Sequence, residues 1–185
     1  MVVYIHGFGS CGFSNKARLL KEYFGEDEVF SPSLSYVPEL AIDTLNQMLT
    51  LLVKREKVTL VGSSLGGYYA TYFSHKFNIT AVLVNPAVYP YNSLAEHIGL
   101  NHSYHDSSDY SFIQEHIDSL KAYEVEEINP QNFLVLLQTG DEVLDFKEAE
   151  KKYHDSRLII EEGGNHSFEN FESKMEMIKA FIRSS

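Results

Sequence analysis

The sequence predicts an α/β fold in which helices cover both faces of a mostly parallel sheet. Short apolar runs alternate with amphipathic segments over most of the 185 residues, and this alternation is typical of parallel sheets layered between helices. Two of the runs, residues 59–61 and 82–84, are rich in valine and leucine, as are strands that are buried on both faces. Because a chain of this length is close to the size of one compact domain, we expect residues 1–185 to form a single domain.

The predicted elements follow the apolar runs in order. Strands are predicted at residues 2–5, 28–31, 58–61, 81–84, 133–138 and 157–160. Helices are predicted where apolar residues recur on one helical face. They cover residues 16–23, 65–75 and 146–153, with a further helix around Leu45, Met48, Leu49 and Leu52 and a C-terminal helix carrying Phe168, Phe171, Met175, Ile178 and Phe181.

An insert of about residues 85–131 interrupts this pattern. It contains three of the five prolines and four of the eight histidines, and no strand pattern is visible in it. Four of its apolar residues predict a helical piece. They are Phe112, Ile113, Ile117 and Leu120. We expect the insert to form a small cap over the edge of the sheet.

Composition argues against several classes of function. The net charge of −11 disfavours a nucleic-acid binder, because phosphate neutralisation requires clustered basic residues. The local group Lys16, Arg18 and Lys21 is interpreted as a solvated helix face. No apolar run is long enough to span a membrane, and the N-terminus lacks a basic segment ahead of an apolar one. Since the lone Cys11 cannot form an internal disulfide, we expect a cytoplasmic protein.

The strongest functional motif is Gly62-Ser63-Ser64-Leu65-Gly66, which lies between a predicted strand and a predicted helix. This is the G-x-S-x-G nucleophile elbow in its required setting, and it predicts a compact α/β-hydrolase fold. The turn strains the serine backbone, and the glycines on either side avoid collisions between strand and helix. Ser63 lacks glycines at the corresponding positions, so we expect Ser64 to be the nucleophile. A glycine-rich structural turn is the alternative.

A serine hydroxyl needs a base, and the base needs a carboxylate that fixes its tautomer. In this fold the acid and then the histidine follow the serine along the chain. Asp141 and His166 each follow a predicted strand, at the strand ends where open sheets gather functional groups. We expect Asp141 to orient His166 and His166 to act as the base. Glu142 and Asp145 are the competing acids. The alternative for Asp141 is a cap of the helix that follows, and the alternative for His166 is a polar loop residue.

The oxyanion of the reaction intermediate needs two hydrogen-bond donors. The backbone N–H of Leu65, directly after the nucleophile, is the first one that we expect. The second is the backbone N–H of Phe8 in the loop after the first strand, because Gly7 lets the chain turn inward. His6 is interpreted as a brace for this loop, since a histidine before the serine has the wrong chain order for the fold.

With these residues assigned, the chain resembles the YqiA-type esterases, a family of small α/β hydrolases. The resemblance is carried by residues 4–8, 61–71, 84–88, 137–145 and 162–166. It extends over nearly the whole chain and is weakest in the cap, including residues 101–111. It implies that the protein hydrolyses carboxylic esters, and that acyl thioesters are a further class of small-molecule substrate. It also implies a cytoplasmic location and a reaction that needs no metal or cofactor. The catalytic residues that it implies are again Ser64, Asp141 and His166.

Three other interpretations stay open at this point. A non-catalytic binding protein can keep a hydrolase fold, and an acyltransferase can pass the same acyl-enzyme to an acceptor other than water. A metal site is the third, and it is disfavoured because its histidines lack a ligand spacing on a defined helix. They are His97, His102, His105 and His116.

Overall fold

A computed structural model describes residues 1–103 and 107–184 of the chain. The described residues contain eight strands. These are β1 (Val2–Ile5), β2 (Val29–Phe30), β3 (Thr59–Ser63), β4 (Thr80–Val84), β5 (Gly99–His102), β6 (Asp109–Phe112), β7 (Phe133–Gln138) and β8 (Arg157–Glu161). Six of them form one sheet in the order β2-β1-β3-β4-β7-β8, and every neighbouring pair in this sheet is parallel.

Helices lie on both faces of this sheet. They are α1 (Asn15–Phe24), α2 (Pro38–Leu52), α3 (Leu65–Phe77), α4 (Pro90–Ser93), α5 (Gln114–Leu120), α6 (Phe146–Lys152) and α7 (Met175–Ser184). Within β1, Val3 and Ile5 pack in the core with α2 and α3. Val2 and Tyr4 pack in a second core with α1 and α7. The alternation of side chains along buried strands therefore builds two cores, and the predicted parallel sheet with helices on both faces is confirmed.

The six predicted strands all occur, and those at residues 2–5 and 133–138 have the predicted bounds. The C-terminal helix is shorter than predicted. Phe168 lies in a loop with a φ of 63°, a short 3₁₀ turn spans Phe171–Lys174, and α7 begins at Met175. These apolar residues recur at helical spacing although they do not lie on one continuous helix, because the loop, the turn and the helix all bury them against the same face of the sheet.

The prediction of an insert without strands is wrong. β5 and β6 pair as an antiparallel hairpin in which Gly99 lies opposite Phe112, so Phe112 belongs to a strand and not to the predicted helix. Leu100 is 76 % exposed, and a strand with so little buried surface need not show the alternation that identifies strands. The predicted helical piece is α5, which begins after Ile113 and buries Ile117 and Leu120.

The insert lies over the loop that follows β1. The Phe8 ring contacts the Phe112 ring with centroids 4.9 Å apart and the His97 ring at 5.2 Å. None of the helices in residues 1–103 and 107–184 is both long and apolar enough to cross a membrane. The single-domain assignment of residues 1–185 stays a prediction.

Candidate active site

Ser64 forms the sharp turn between β3 and α3. Its backbone has a φ of 55° and a ψ of −123°, a conformation that side-chain-bearing residues rarely adopt. Hydrogen bonds hold it there. The Ser64 N–H donates to the Val84 carbonyl at 3.1 Å, and the Ser64 carbonyl accepts from the N–H groups of Gly67 at 2.8 Å and Ala87 at 3.0 Å. The turn is thus fixed against the end of β4, and the serine side chain is carried at the carboxyl edge of the sheet.

Two glycines allow the close approach that this turn requires. A Cβ atom on Gly62 would lie 2.3 Å from the Gly66 carbonyl oxygen, and one on Gly66 would lie 2.0 Å from the Ile5 carbonyl oxygen. Both contacts are with backbone atoms, which cannot move aside without shifting an element. The serine motif therefore needs glycine at both positions for packing alone.

The structure brings the three predicted catalytic side chains together. His166 Nε2 lies 3.0 Å from Ser64 Oγ, and His166 Nδ1 lies 2.9 Å from each carboxylate oxygen of Asp141. With the ring proton on Nδ1 facing the carboxylate, Nε2 is free to accept the hydroxyl proton of the serine. Serine, imidazole and carboxylate form one continuous chain of hydrogen bonds.

The Asp141 side chain is only 2 % exposed, yet it is held as a carboxylate. Burial raises its pKa, but hydrogen bonds from the His166 ring and from the backbone N–H groups of Leu144 and Val143 outweigh burial, so that the pKa of Asp141 is lowered. Both N–H groups donate to the same carboxylate oxygen at 2.9 Å. The acid is therefore ionised at neutral pH and available to orient the imidazole.

The two competing acids have other partners. A Glu142 carboxylate oxygen accepts the backbone N–H of His166 at 2.9 Å, and this hydrogen bond lowers the pKa of Glu142. Asp145 directly precedes α6 and, as its N-cap, accepts the N–H of Lys147 at 3.0 Å. Glu142 thus holds the histidine loop from outside, whereas Asp145 caps a helix.

Two residues that the sequence reasoning missed position the histidine loop. Asn85 Nδ2 donates to the carbonyls of Asn165 at 3.0 Å and His166 at 3.3 Å, and Asn85 Oδ1 accepts the N–H of Gln138 at 2.9 Å. Gln138 Oε1 in turn accepts the N–H groups of Asn165 at 3.2 Å and Glu169 at 2.8 Å. Both side chains are buried. The sequence signal that points to such a role is a polar residue at the end of a buried apolar run, as with Asn85 after β4 and Gln138 at the last position of β7.

The two expected oxyanion donors lie beside the serine. Leu65 is the first residue of α3, and its N–H therefore has no acceptor within the helix. Among the described residues, neither this N–H nor that of Phe8 donates a hydrogen bond to the protein. His6, buried below them, accepts the N–H of Leu34 with Nε2 at 2.9 Å, and its Nδ1 lies 2.8 Å from the Gly7 carbonyl. These bonds brace the loop that presents Phe8.

Ser64 and His166 lie where two cavities meet. One cavity, of about 480 Å³, has mostly apolar walls. Its apolar lining residues include Leu65, Ala87, Pro90, Leu94, Val143 and Leu144. The other cavity, of about 490 Å³, has more polar walls. They include Ser14, Asn15, Lys16, Asn165, Glu169 and Glu172. A substrate bound across the serine would thus have one end in an apolar environment and the other end in a polar one.

The histidines considered as a metal site are dispersed. His97 and His102 line the apolar cavity, His102 pairs with Asp109 at 2.7 Å, and the His116 ring packs on Phe112. His105 lies outside the described residues. In the described part of the chain, no three His, Cys, Asp or Glu side chains gather as metal ligands would.

The strand order, the nucleophile elbow and the site at the carboxyl edge of the sheet define an α/β hydrolase fold. The chain belongs to the uncharacterised protein family UPF0227, whose family profile matches residues 1–183. Relatives include the UPF0227 protein YcfP of Salmonella gallinarum, which is 28 % identical, and that of Escherichia coli O9:H4, which is 27 % identical. Each alignment covers 98 % of both chains. The family resemblance predicted from the sequence motifs is confirmed.

Solved structures with the same fold include esterases and lipases. Est1E from Butyrivibrio proteoclasticus, with ferulic acid bound, aligns with a TM-score of 0.73 at 14 % identity and covers 99 % of this chain and 88 % of its own. The monoacylglycerol lipase of Paleococcus ferrophilus aligns with a TM-score of 0.68 at 16 % identity, and the alignment covers 100 % of this chain and 94 % of the lipase chain. At these identities the likeness establishes the fold, and the predicted α/β-hydrolase fold is confirmed.

Proposed function

We propose that the protein is a serine hydrolase that cleaves carboxylic esters through an acyl-enzyme on Ser64. The observation that carries this proposal is the continuous hydrogen-bonded arrangement of Ser64, His166 and Asp141, with 3.0 Å between imidazole and hydroxyl. A strained serine beside two cavities is the further support from geometry. The presence of esterases and lipases among proteins with the same fold agrees with it.

The residues act in two half-reactions. Ser64 Oγ attacks the acyl carbon while its proton passes to His166 Nε2, and Asp141 stabilises the resulting imidazolium. The bond to the leaving group then breaks, and the leaving oxygen takes the proton from His166. In the second half, water attacks the acyl-enzyme, its proton passes to His166 and then back to Ser64 Oγ, and the carboxylic acid is released. The same steps apply to an acyl thioester, in which sulfur is the leaving atom.

The oxyanion formed in each half-reaction is assigned to the backbone N–H groups of Leu65 and Phe8. Loss of one such donor typically lowers the rate about 10²- to 10³-fold. Because the Phe8 loop is braced by His6 on one side and contacts the Phe112 ring on the other, the donor is positioned before substrate binds. The apolar cavity beside Leu65 accepts the acyl chain.

Labelling with a fluorophosphonate probe tests the nucleophile. We expect wild-type protein to be labelled and to hydrolyse p-nitrophenyl butyrate, and Ser64→Ala to lose both properties while keeping the wild-type circular dichroism spectrum. Ser63→Ala is the matched control, because Ser63 is the adjacent buried serine of β3 and should leave labelling intact. Turnover that survives in Ser64→Ala would refute the assignment.

A folded wild-type protein that the probe does not label would favour a non-catalytic binding protein. Product analysis separates hydrolysis from acyl transfer. With an added alcohol acceptor, a hydrolase releases mainly the free carboxylic acid, whereas an acyltransferase makes mainly the new ester.

A further inference from the structure

Lys16 occupies an unusual place next to the candidate active site. Of the described residues that line the two cavities, it is the only lysine or arginine. Arg18 and Lys21 on the same helix pair with Glu22 and Glu26, as expected of the solvated face predicted from the sequence. Lys16 instead lines the polar cavity that is also lined by Ser64 and His166, so the solvated-face interpretation does not hold for this residue.

The Lys16 ammonium makes no ion pair with any of the described residues. Its Nζ lies 5.9 Å from the centre of the Phe171 ring, and in the described part of the chain no carboxylate is within ion-pair distance of it. Burial lowers the pKa of Lys16 to about 8, which still leaves the group mostly protonated at neutral pH. A partly desolvated cation without a counter-ion is costly to the fold unless a ligand compensates for it.

We propose that Lys16 binds an oxyanion on the leaving group of the substrate, so that the preferred esters carry a carboxylate or a phosphate near the bond that is cleaved. This inference rests on the proposed ester hydrolysis at Ser64. The apolar cavity suits an acyl chain, and the polar cavity with Lys16 is left for the leaving group. An anion there would meet the ammonium in a cleft that is partly shielded from water, where charge-assisted hydrogen bonds are strong.

Two carboxylates in the same cavity limit the size of this anion. Glu169 and Glu172 both line it, and Glu169 Oε1 accepts a hydrogen bond from Asn165 at 3.2 Å. An extended polyanion would be repelled by them. Because neither carboxylate is within ion-pair distance of Lys16, we expect a single compact oxyanion to be preferred. We therefore expect the cavity to favour leaving groups that carry one negative charge close to Lys16.

A pair of substrates that differ only in charge tests the proposal. 3-Carboxyphenyl butyrate carries a carboxylate on its leaving group, and 3-(methoxycarbonyl)phenyl butyrate is the neutral counterpart. After correction for their rates of alkaline hydrolysis, we expect the kcat/KM of the wild-type protein to be about tenfold higher for the anionic ester, the low end for a charge-assisted hydrogen bond. The preference should weaken as salt is added.

Lys16→Met removes the charge and keeps an unbranched side chain against the Phe171 ring. We expect the ratio of the two kcat/KM values to fall from about ten to about one in this variant. Lys21→Met is the matched control on the same helix, since Lys21 lies outside the linings of both cavities, and it should keep the wild-type ratio. Competitive inhibition by 3-hydroxybenzoate and by phenyl phosphate, compared in wild type and Lys16→Met, distinguishes a carboxylate from a phosphate as the preferred oxyanion.

The outcomes separate this inference from the proposed function. A wild-type ratio near one, or a ratio that Lys16→Met leaves unchanged, overturns the role of Lys16, while Ser64-dependent hydrolysis of the neutral ester would still support the proposed function. If neither ester is hydrolysed and Ser64 is not labelled, the proposed function fails, and the role of Lys16 in substrate choice fails with it.

Discussion

Asn85 offers the sharpest test of how the candidate active site is held together. Its side chain joins the end of β7 to the histidine loop through hydrogen bonds to Gln138 N–H at 2.9 Å and to the carbonyls of Asn165 at 3.0 Å and His166 at 3.3 Å. Its backbone has a φ of 40°, in the left-handed region that asparagine tolerates better than alanine. The substitution Asn85→Ala therefore removes three contacts and also strains the chain.

The expected loss of stability follows from the burial of each partner. The Gln138 N–H lies in a residue that is only 4 % exposed, and a buried donor without an acceptor costs about 1–3 kcal/mol. The two carbonyls lie in a partly exposed loop, so their contribution is smaller. With about 1 kcal/mol for alanine in the left-handed region, we expect Asn85→Ala to lower the free energy of unfolding by about 3 kcal/mol.

Urea unfolding measures this loss, and initial rates with p-nitrophenyl butyrate measure its effect on the site. After correction for the folded fraction, we expect kcat to fall at least about tenfold with little change in KM, because His166 would no longer be held in place for proton transfer. Asn46→Ala is the control, since Asn46 makes an exposed bond to Lys76 and should cost less than about 0.5 kcal/mol. Wild-type stability and kcat in Asn85→Ala would refute the reasoning.

Two further predictions concern Asp141 and the elbow. Asp141→Asn should lower kcat at neutral pH by about 10⁴-fold. The pKa of Asp141 is lowered in the folded protein. The stability that its carboxylate contributes should therefore be present above about pH 4 and be lost as pH falls through the folded-state pKa. Urea unfolding between pH 5 and about pH 2.5 should thus be less steeply pH-dependent in Asp141→Asn, and equal slopes would contradict this. Gly66→Ala places a Cβ 2.0 Å from the Ile5 carbonyl oxygen, and it should lower the free energy of unfolding by about 4 kcal/mol or more. A melting temperature equal to that of the wild type would show that the elbow can relax.

The parts of the fold that follow from buried strands were predictable from the sequence. β1 and β7 are buried throughout, so continuous apolar runs mark all of β1 and all of β7 except its last residue, Gln138. Because the carboxyl ends of parallel strands share one edge of the sheet, the positions of Ser64, Asp141 and His166 just after three strands pointed to one site. The structure places these side chains within hydrogen-bond distance, and their catalytic roles stay a prediction.

The parts that depend on surface strands or on single tertiary contacts were not predictable in the same way. The hairpin of β5 and β6 buries little apart from Phe112. β5 shows no alternation of apolar and polar residues, and the alternation in β6 extends over only four residues. Phe168 matched a helical spacing, yet it lies in a loop. Asn85 and Gln138 act through backbone atoms of a loop that is distant in sequence, and the sequence alone does not say which loop comes close.

The span of the chain between serine and base has a consequence during synthesis. The hydrogen bond from Ser64 to His166 joins positions 102 residues apart. Asp141 and His166 follow β7 and β8, which are the last two strands of the sheet along the chain. In a nascent chain of which only β1 to β4 have left the ribosome, the Ser64 hydroxyl therefore has no His166 imidazole beside it and is an ordinary alcohol. In the proposed mechanism, reactivity toward acyl groups therefore requires that β7, β8 and the histidine loop have also been synthesised.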